Sequence, residues 1–166
     1  SQEGRDCVFE AIDDNNCEML KLFLKHSPSL VKCLYEYAVR YKNYLLRTST
    51  ALKYAAMKGV FECLCLLLES GSEVEMGDSE GTTALMEAAM RGEGECVKTL
   101  IECGADVNKQ DDYKKTALIW AVIVSKGECV KQLVESGADM NMVDTDGMTA
   151  LFYAASKGKS ECIEQL

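Results

Sequence analysis

Nine cysteines, a single histidine and several paired acids are the side chains here with the reach for metal, redox or nucleophilic chemistry. Thiolate zinc sites usually carry Cys-x-x-Cys pairs, and none occurs; Cys63 and Cys65 are two apart, on different faces of a helix. Cys63, Cys96, Cys129 and Cys162 instead recur every 33 residues inside apolar helical patterns. Neighbouring helices lie about 8–10 Å apart, too far for equivalent α-carbons to be bridged easily. These cysteines are expected to be small buried thiols, kept reduced in an intracellular, cytoplasmic protein. His26 stands near a helix end. A nucleophilic centre needs its base beside the nucleophile and oriented by a third group, so His26 is expected as a surface or capping residue. Gly92-Glu93-Gly94 lacks the third glycine, the preceding strand and the basic residue of a phosphate loop. Asp13-Asp14 and Asp111-Asp112 fall in turn-like segments, where solvation accounts for them. No catalytic residue, cofactor or metal is expected, and the chain reads as a non-enzyme.

The net charge of −9 works against nucleic acid and against an anionic membrane surface. It suits solubility, with a basic partner as the sharper alternative. No apolar run reaches the roughly 18–20 residues that span a bilayer, and no apolar signal segment follows the polar start.

The elements that must position these side chains are set by an internal repeat. Thr50-Ala51-Leu52, Thr83-Ala84-Leu85, Thr116-Ala117-Leu118 and Thr149-Ala150-Leu151 are 33 residues apart. Gly71, Gly104 and Gly137 keep the same period, as do Asp78, Asp111 and Asp144. Within one unit Thr83 is a good N-cap. Leu85, Ala88 and Ala89 make a small-residue helical face, and Gly92 stops that helix. A second helix starts near Glu93 to Glu95, with Cys96, Val97, Leu100 and Ile101 as its stripe. Gly104 ends it in a left-handed conformation, and Asp111 opens a tight turn towards Thr116. Such a unit cannot bury its own apolar face and must stack on copies of itself.

The pattern resembles the ankyrin repeat, whose signature runs Asp-x-x-Gly-x-Thr-Pro-Leu-His-x-Ala-Ala. The best matches are Asp78 to Ala89 and Asp144 to Ala155, with exits at Gly104-Ala105-Asp106-Val107-Asn108 and Gly137-Ala138-Asp139-Met140-Asn141. The resemblance is strong over 50–166 and weak over 5–30. It implies an all-α solenoid of helix–turn–helix units joined by β-turn fingers, about five repeats. Four repeats at 33-residue period occupy 50–166, the last truncated. Residues 5–49 form a degenerate first repeat with an insertion at about 31–49. The family's Pro is Ala in all four repeats, and its His is Lys53, Met86, Ile119 and Phe152. That His ties turns together, so looser turns are expected. Ser125 and Lys114 replace two glycines, so local irregularity is expected there.

In the first copy Val8, Ala11 and Ile12 match one helix and Met19, Leu20, Phe23 and Leu24 the next. Asn15-Asn16 separates them and Pro28 stops the second. The insertion carries Tyr35, Tyr37, Arg40, Tyr41, Lys42, Tyr44 and Arg47, and the spacing of Leu34, Ala38, Tyr41 and Leu45 is helical. An enlarged finger or an extra helical turn is expected, with a partner-binding element as the alternative. The chain has no initiator Met and stops at Leu166 before any Gly-Ala-Asp exit, which points to a piece of a longer protein.

What the resemblance implies about function is protein binding on a rigid concave surface of finger tips and first helices. Carried over by position, the candidate contacts are Tyr54, Met57, Glu80, Glu87, Met90, Arg91, Asp112, Tyr113, Trp120, Ile123, Val124, Asp146, Met148, Tyr153 and Lys157. Tyr54, Glu87, Trp120 and Tyr153 share one register position. An aromatic row there, flanked by Met90, Ile123, Val124 and Met148, would be an exposed apolar patch. The alternative is that Trp120 fills a packing gap left by Ser125. The reading is an adaptor or scaffold module whose partner is a protein with a basic or apolar segment. Nucleic acid and membrane are not expected, and the piece is expected to be monomeric. A structural spacer, or a regulatory domain of a larger enzyme or channel, is the alternative.

Overall fold

The structure, a computed structural model, describes residues 2–26, 40–41, 44–45 and 50–166. Ten helices are present among the described residues, in five pairs: α1 (Gln2–Asp13) with α2 (Cys17–His26), α3 (Ala51–Lys58) with α4 (Phe61–Glu69), α5 (Ala84–Arg91) with α6 (Gly94–Glu102), α7 (Ala117–Ile123) with α8 (Gly127–Glu135), and α9 (Ala150–Ser156) with α10 (Ser160–Gln165). Each first helix touches the next first helix, and each second helix the next second helix, so the pairs stack into two layers.

Local chemistry explains why the helices start and stop where they do. The side chains of Thr50, Thr83, Thr116 and Thr149 accept hydrogen bonds from the amides of Lys53, Met86, Ile119 and Phe152, which would otherwise be unpaired in a first turn. Gly59 and Gly92 end their helices with φ of 68° and 82°, a left-handed conformation that suits glycine. Small residues let the first helices approach closely: Ala55, Ala56, Ala88, Ala89, Ala121 and Ala154 are fully buried. The stripe of α6 behaves as its spacing predicts, with Cys96, Val97 and Leu100 buried and Ile101 packed at the edge of the core.

The degenerate first pair folds on the same plan. Val8, Ala11 and Ile12 are buried in α1, and Leu20 and Leu24 in α2. Met19, assigned to the α2 stripe, is instead among the exposed large apolar residues. Pro28 lies outside the described residues. In the insertion, β1 (Arg40–Tyr41) pairs antiparallel with β2 (Tyr44–Leu45), Arg40 opposite Leu45 and Tyr41 opposite Tyr44. The helical spacing of Tyr41 and Leu45 is therefore not used; a tyrosine-rich segment suits the extended backbone better. Leu34 and Ala38 lie outside the described residues.

Register alone does not bury a side chain; the following repeat does. Leu118 and Ile119 are each 1% exposed, whereas their register equivalents Leu151 and Phe152 are each 50% exposed.

Candidate interaction surface

The surface is built from three finger aspartates. One oxygen of each carboxylate accepts two backbone amides. For Asp78 these are Glu80 and Thr82, both at 2.9 Å. For Asp111 they are Tyr113 at 2.9 Å and Lys115 at 2.8 Å. For Asp144 they are Asp146 and Met148, both at 3.0 Å. A short polar side chain thus closes each turn on its own backbone.

The second oxygen finds a different donor each time. Nine residues on, Trp120 Nε1 donates to Asp111 at 2.8 Å and the Tyr153 hydroxyl to Asp144 at 2.6 Å. Glu87 holds the same position in the preceding repeat, a carboxyl in place of an indole N–H or a phenol. There Lys53, from the repeat before, pairs with Asp78 and lies 3.9 Å from Glu87. Lys115 adds a second contact to Asp144 at 3.1 Å and stands 5.7 Å from the ring centres of both Tyr113 and Trp120. Burial alone would push the Asp144 carboxyl up, but the Tyr153 hydroxyl, the Met148 amide, Lys115 and the Asp146 amide more than offset it. The carboxyl is held at about 2. The same bond, followed by burial, pushes the Tyr153 phenol up to about 12.

Backbone bonds then join finger to finger. The Asp112 amide donates to the Glu80 carbonyl at 2.9 Å, and the Thr145 amide to the Tyr113 carbonyl at 3.0 Å. The Tyr113 hydroxyl reaches Glu80 Oε1 at 3.1 Å, and Gln110 Nε2 the Val143 carbonyl at 3.0 Å. The looser turns expected from the missing histidine do not follow. The aspartates and this ladder do the tying, and Lys53, at a histidine position, bridges two repeats. Lys114 and Ser125 take φ of 56° and 61°, so that repeat keeps the shape of its neighbours and the expected irregularity is absent.

The candidate contacts divide accordingly. Tyr54 and Glu87 are buried, at 5% and 7% exposure. The Tyr54 hydroxyl donates to Asp13 at 2.7 Å while Phe9 packs edge-on against its ring, and Glu87 is paired to Arg91 at 3.1 Å. Trp120 and Tyr153 are half-buried and turned to their own fingers. The row is therefore held by polar bonds, buried at Tyr54 and Glu87 and half-buried at Trp120 and Tyr153. Trp120 is occupied by Asp111 and Lys115 rather than by a gap at Ser125. Met57, Met90, Ile123, Met148 and Glu80 are half-buried. Arg91, Asp112, Tyr113, Val124, Asp146 and Lys157 are exposed. Sequence reasoning missed Lys53 and Lys115 as ties; for Lys53 the signal is a lysine inside an apolar stretch, and Lys115, set in a polar finger, carries no comparable one.

The aligned cysteines Cys63, Cys96, Cys129 and Cys162 are buried. Burial is the main cause that pushes Cys63 up to about 12 and Cys96 and Cys129 up to about 11, with Lys126 pulling the other way beside Cys129. Among the described residues no group of three or more His, Cys, Asp or Glu side chains is placed to hold a metal, and no helix is long and apolar enough to cross a membrane.

No curated protein matches the chain. The family model for ankyrin repeats in three copies matches residues 1–111 and again 108–166. Such repeats are in general protein–protein interaction modules, typically without catalysis. Since these matches run the length of the chain and the helix pairs stack as ankyrin units do, the chain belongs to the ankyrin repeat family.

Proposed function

We propose that the chain is a non-catalytic adaptor module that docks a protein partner on its finger row. The observation that carries this reading is the ladder joining Glu80, Asp112, Tyr113 and Thr145. It presents the exposed Asp112, Tyr113 and Asp146 on backbone that is already ordered, so little further ordering accompanies binding. The partner segment is basic with an apolar side chain. Acids at Glu80, Asp112 and Asp146 outnumber Lys114 along the tips, and Tyr113 offers a large amphipathic face.

The test compares three versions of the chain in quantitative capture from lysate, with binding constants for whatever is retained. They are the unaltered chain, an Asp112→Lys, Tyr113→Ala, Asp146→Lys variant, and a Lys131→Ala control on exposed α8 surface. Melting curves check folding. A partner held by the unaltered chain and the control, and at least tenfold weaker on the finger variant, supports the reading. A partner held equally by all three, or by none, overturns it and favours a structural spacer.

A further inference from the structure

The aligned cysteines do not meet one another, but one meets a cysteine outside their register. Cys17 opens α2 and Cys63 lies fully buried in α4, and their Sγ atoms are 3.6 Å apart. With Glu18 aligned to Glu62, Cys17 holds the place taken elsewhere by Phe61, Gly94, Gly127 and Ser160. The register therefore sets a sulfur beside the aligned cysteine at this interface and not at the later ones. Cys17 also lines an open cleft of about 460 Å³ with Glu18, Lys21, Phe61, Glu62 and Cys65. Its Sγ directs a hydrogen bond to Glu62 Oε2 at 3.5 Å.

We propose that Cys17 and Cys63 are a redox modification site at which a hydroperoxide joins the two thiols as a disulfide, stapling α2 to α4. The cleft brings the oxidant to Cys17, which is half-buried, whereas Cys63 has no exposed surface. The Cys17 sulfur attacks one peroxide oxygen, and its proton passes to the departing hydroxide. The O–O bond breaks, one water leaves, and Cys17 becomes a sulfenic acid. Cys63 Sγ then attacks Cys17 Sγ, the S–O bond breaks, and the departing hydroxide leaves as water with the Cys63 proton. Two thiols and one hydrogen peroxide give one disulfide and two waters; the thiols lose two electrons and the peroxide gains them. The sulfurs must close from 3.6 Å to about 2.05 Å. Cys63 has no exposed surface and meets the oxidised sulfur only through Cys17, so it acts as the second sulfur and not the first. The bond ties together two residues 46 apart in sequence and so restricts the unfolded chain.

The 166-residue chain is reduced, desalted and treated with one equivalent of hydrogen peroxide, then mapped as peptides without reduction. The expected product is a linked peptide carrying Cys17 and Cys63, with an intact mass lower by two hydrogens. The melting temperature rises by several degrees and falls back on adding dithiothreitol. In Cys63→Ser a sulfenic acid persists at Cys17 and is trapped by dimedone. In Cys17→Ser, whose folding the melt checks, Cys63 stays a free thiol under the same dose. Cys17 linked instead to Cys65 or Cys103, or Cys17 over-oxidised while Cys63 stays free, overturns the proposal.

Discussion

Trp120 Nε1 donates to Asp111 Oδ2 at 2.8 Å and so ties the first helix of its repeat to its own finger. The tryptophan is therefore a structural donor whose loss leaves a buried carboxylate oxygen short of a partner. Trp120→Phe keeps the ring and removes the N–H. It is expected to lower stability by about 1–3 kcal/mol, a fall of several degrees in a thermal melt. Trp120→Phe should leave partner affinity within twofold once folding is matched. A melt equal to that of the unaltered chain would show that the bond contributes nothing.

Lys53 pairs with Asp78 and lies 3.9 Å from Glu87, which Arg91 also holds at 3.1 Å; the two acid side chains are only 4% and 10% exposed. Removing one member of a buried ionic cluster strands the others. Lys53→Met should lower stability by about 3–5 kcal/mol in urea unfolding. Adding Glu87→Gln to it should recover part of the loss, because one stranded charge is then gone. If the double variant is no better than the single one, Glu87 does not depend on Lys53.

Asp144 gives the module an acid limit. Its folded carboxyl sits at about 2 against an ordinary 3.8, so the folded state favours the charged form. The stabilisation is fully present above about pH 4 and is lost as pH falls through about 2; it is on the order of 2 kcal/mol. Unfolding measured from pH 5 down to pH 2 should show this loss in the unaltered chain. The Asp144→Asn variant should start less stable and lose less over the same range. Parallel curves for the two would show that Asp144 does not titrate in this window.

Much of this architecture was legible because short local signals carry it. The Thr-Ala-Leu period marks the caps, and Gly92 and Gly104 mark the stops, each within one unit. The exposed tips Asp112, Tyr113 and Asp146 follow from the same register. The role of one register position in the first helix is less legible. Tyr54, Glu87, Trp120 and Tyr153 look alike as a variable surface row, yet what each does depends on the nearest acid. Tyr54 has Asp13 of the first pair, 41 residues away, and Glu87 has Arg91 in its own helix with Lys53, 34 residues away, at 3.9 Å. Leu151 and Leu118 likewise share a register and differ in burial, because only one has a repeat stacked upon it. Period reveals position in the unit; contacts between units come from the stack.

The fourth repeat shows how strongly the stack imposes backbone shape. Lys114 and Ser125 stand where neighbouring repeats place Gly81, Gly147, Gly59 and Gly92, and they adopt the same positive φ, 56° and 61°. A side chain there crowds its own carbonyl, a strain glycine does not feel. Glycine also loosens the unfolded chain, which offsets part of the gain. Lys114→Gly and Ser125→Gly are each expected to raise stability by about 0.5–1 kcal/mol. The sites are separated by a whole helix, so the two gains should add within about 0.5 kcal/mol. The check is chemical denaturation of both single variants and the double. Lys114→Ala and Ser125→Ala provide the contrast, since alanine keeps the strained Cβ and should bring no gain. A glycine variant no more stable than its alanine counterpart would place the strain elsewhere.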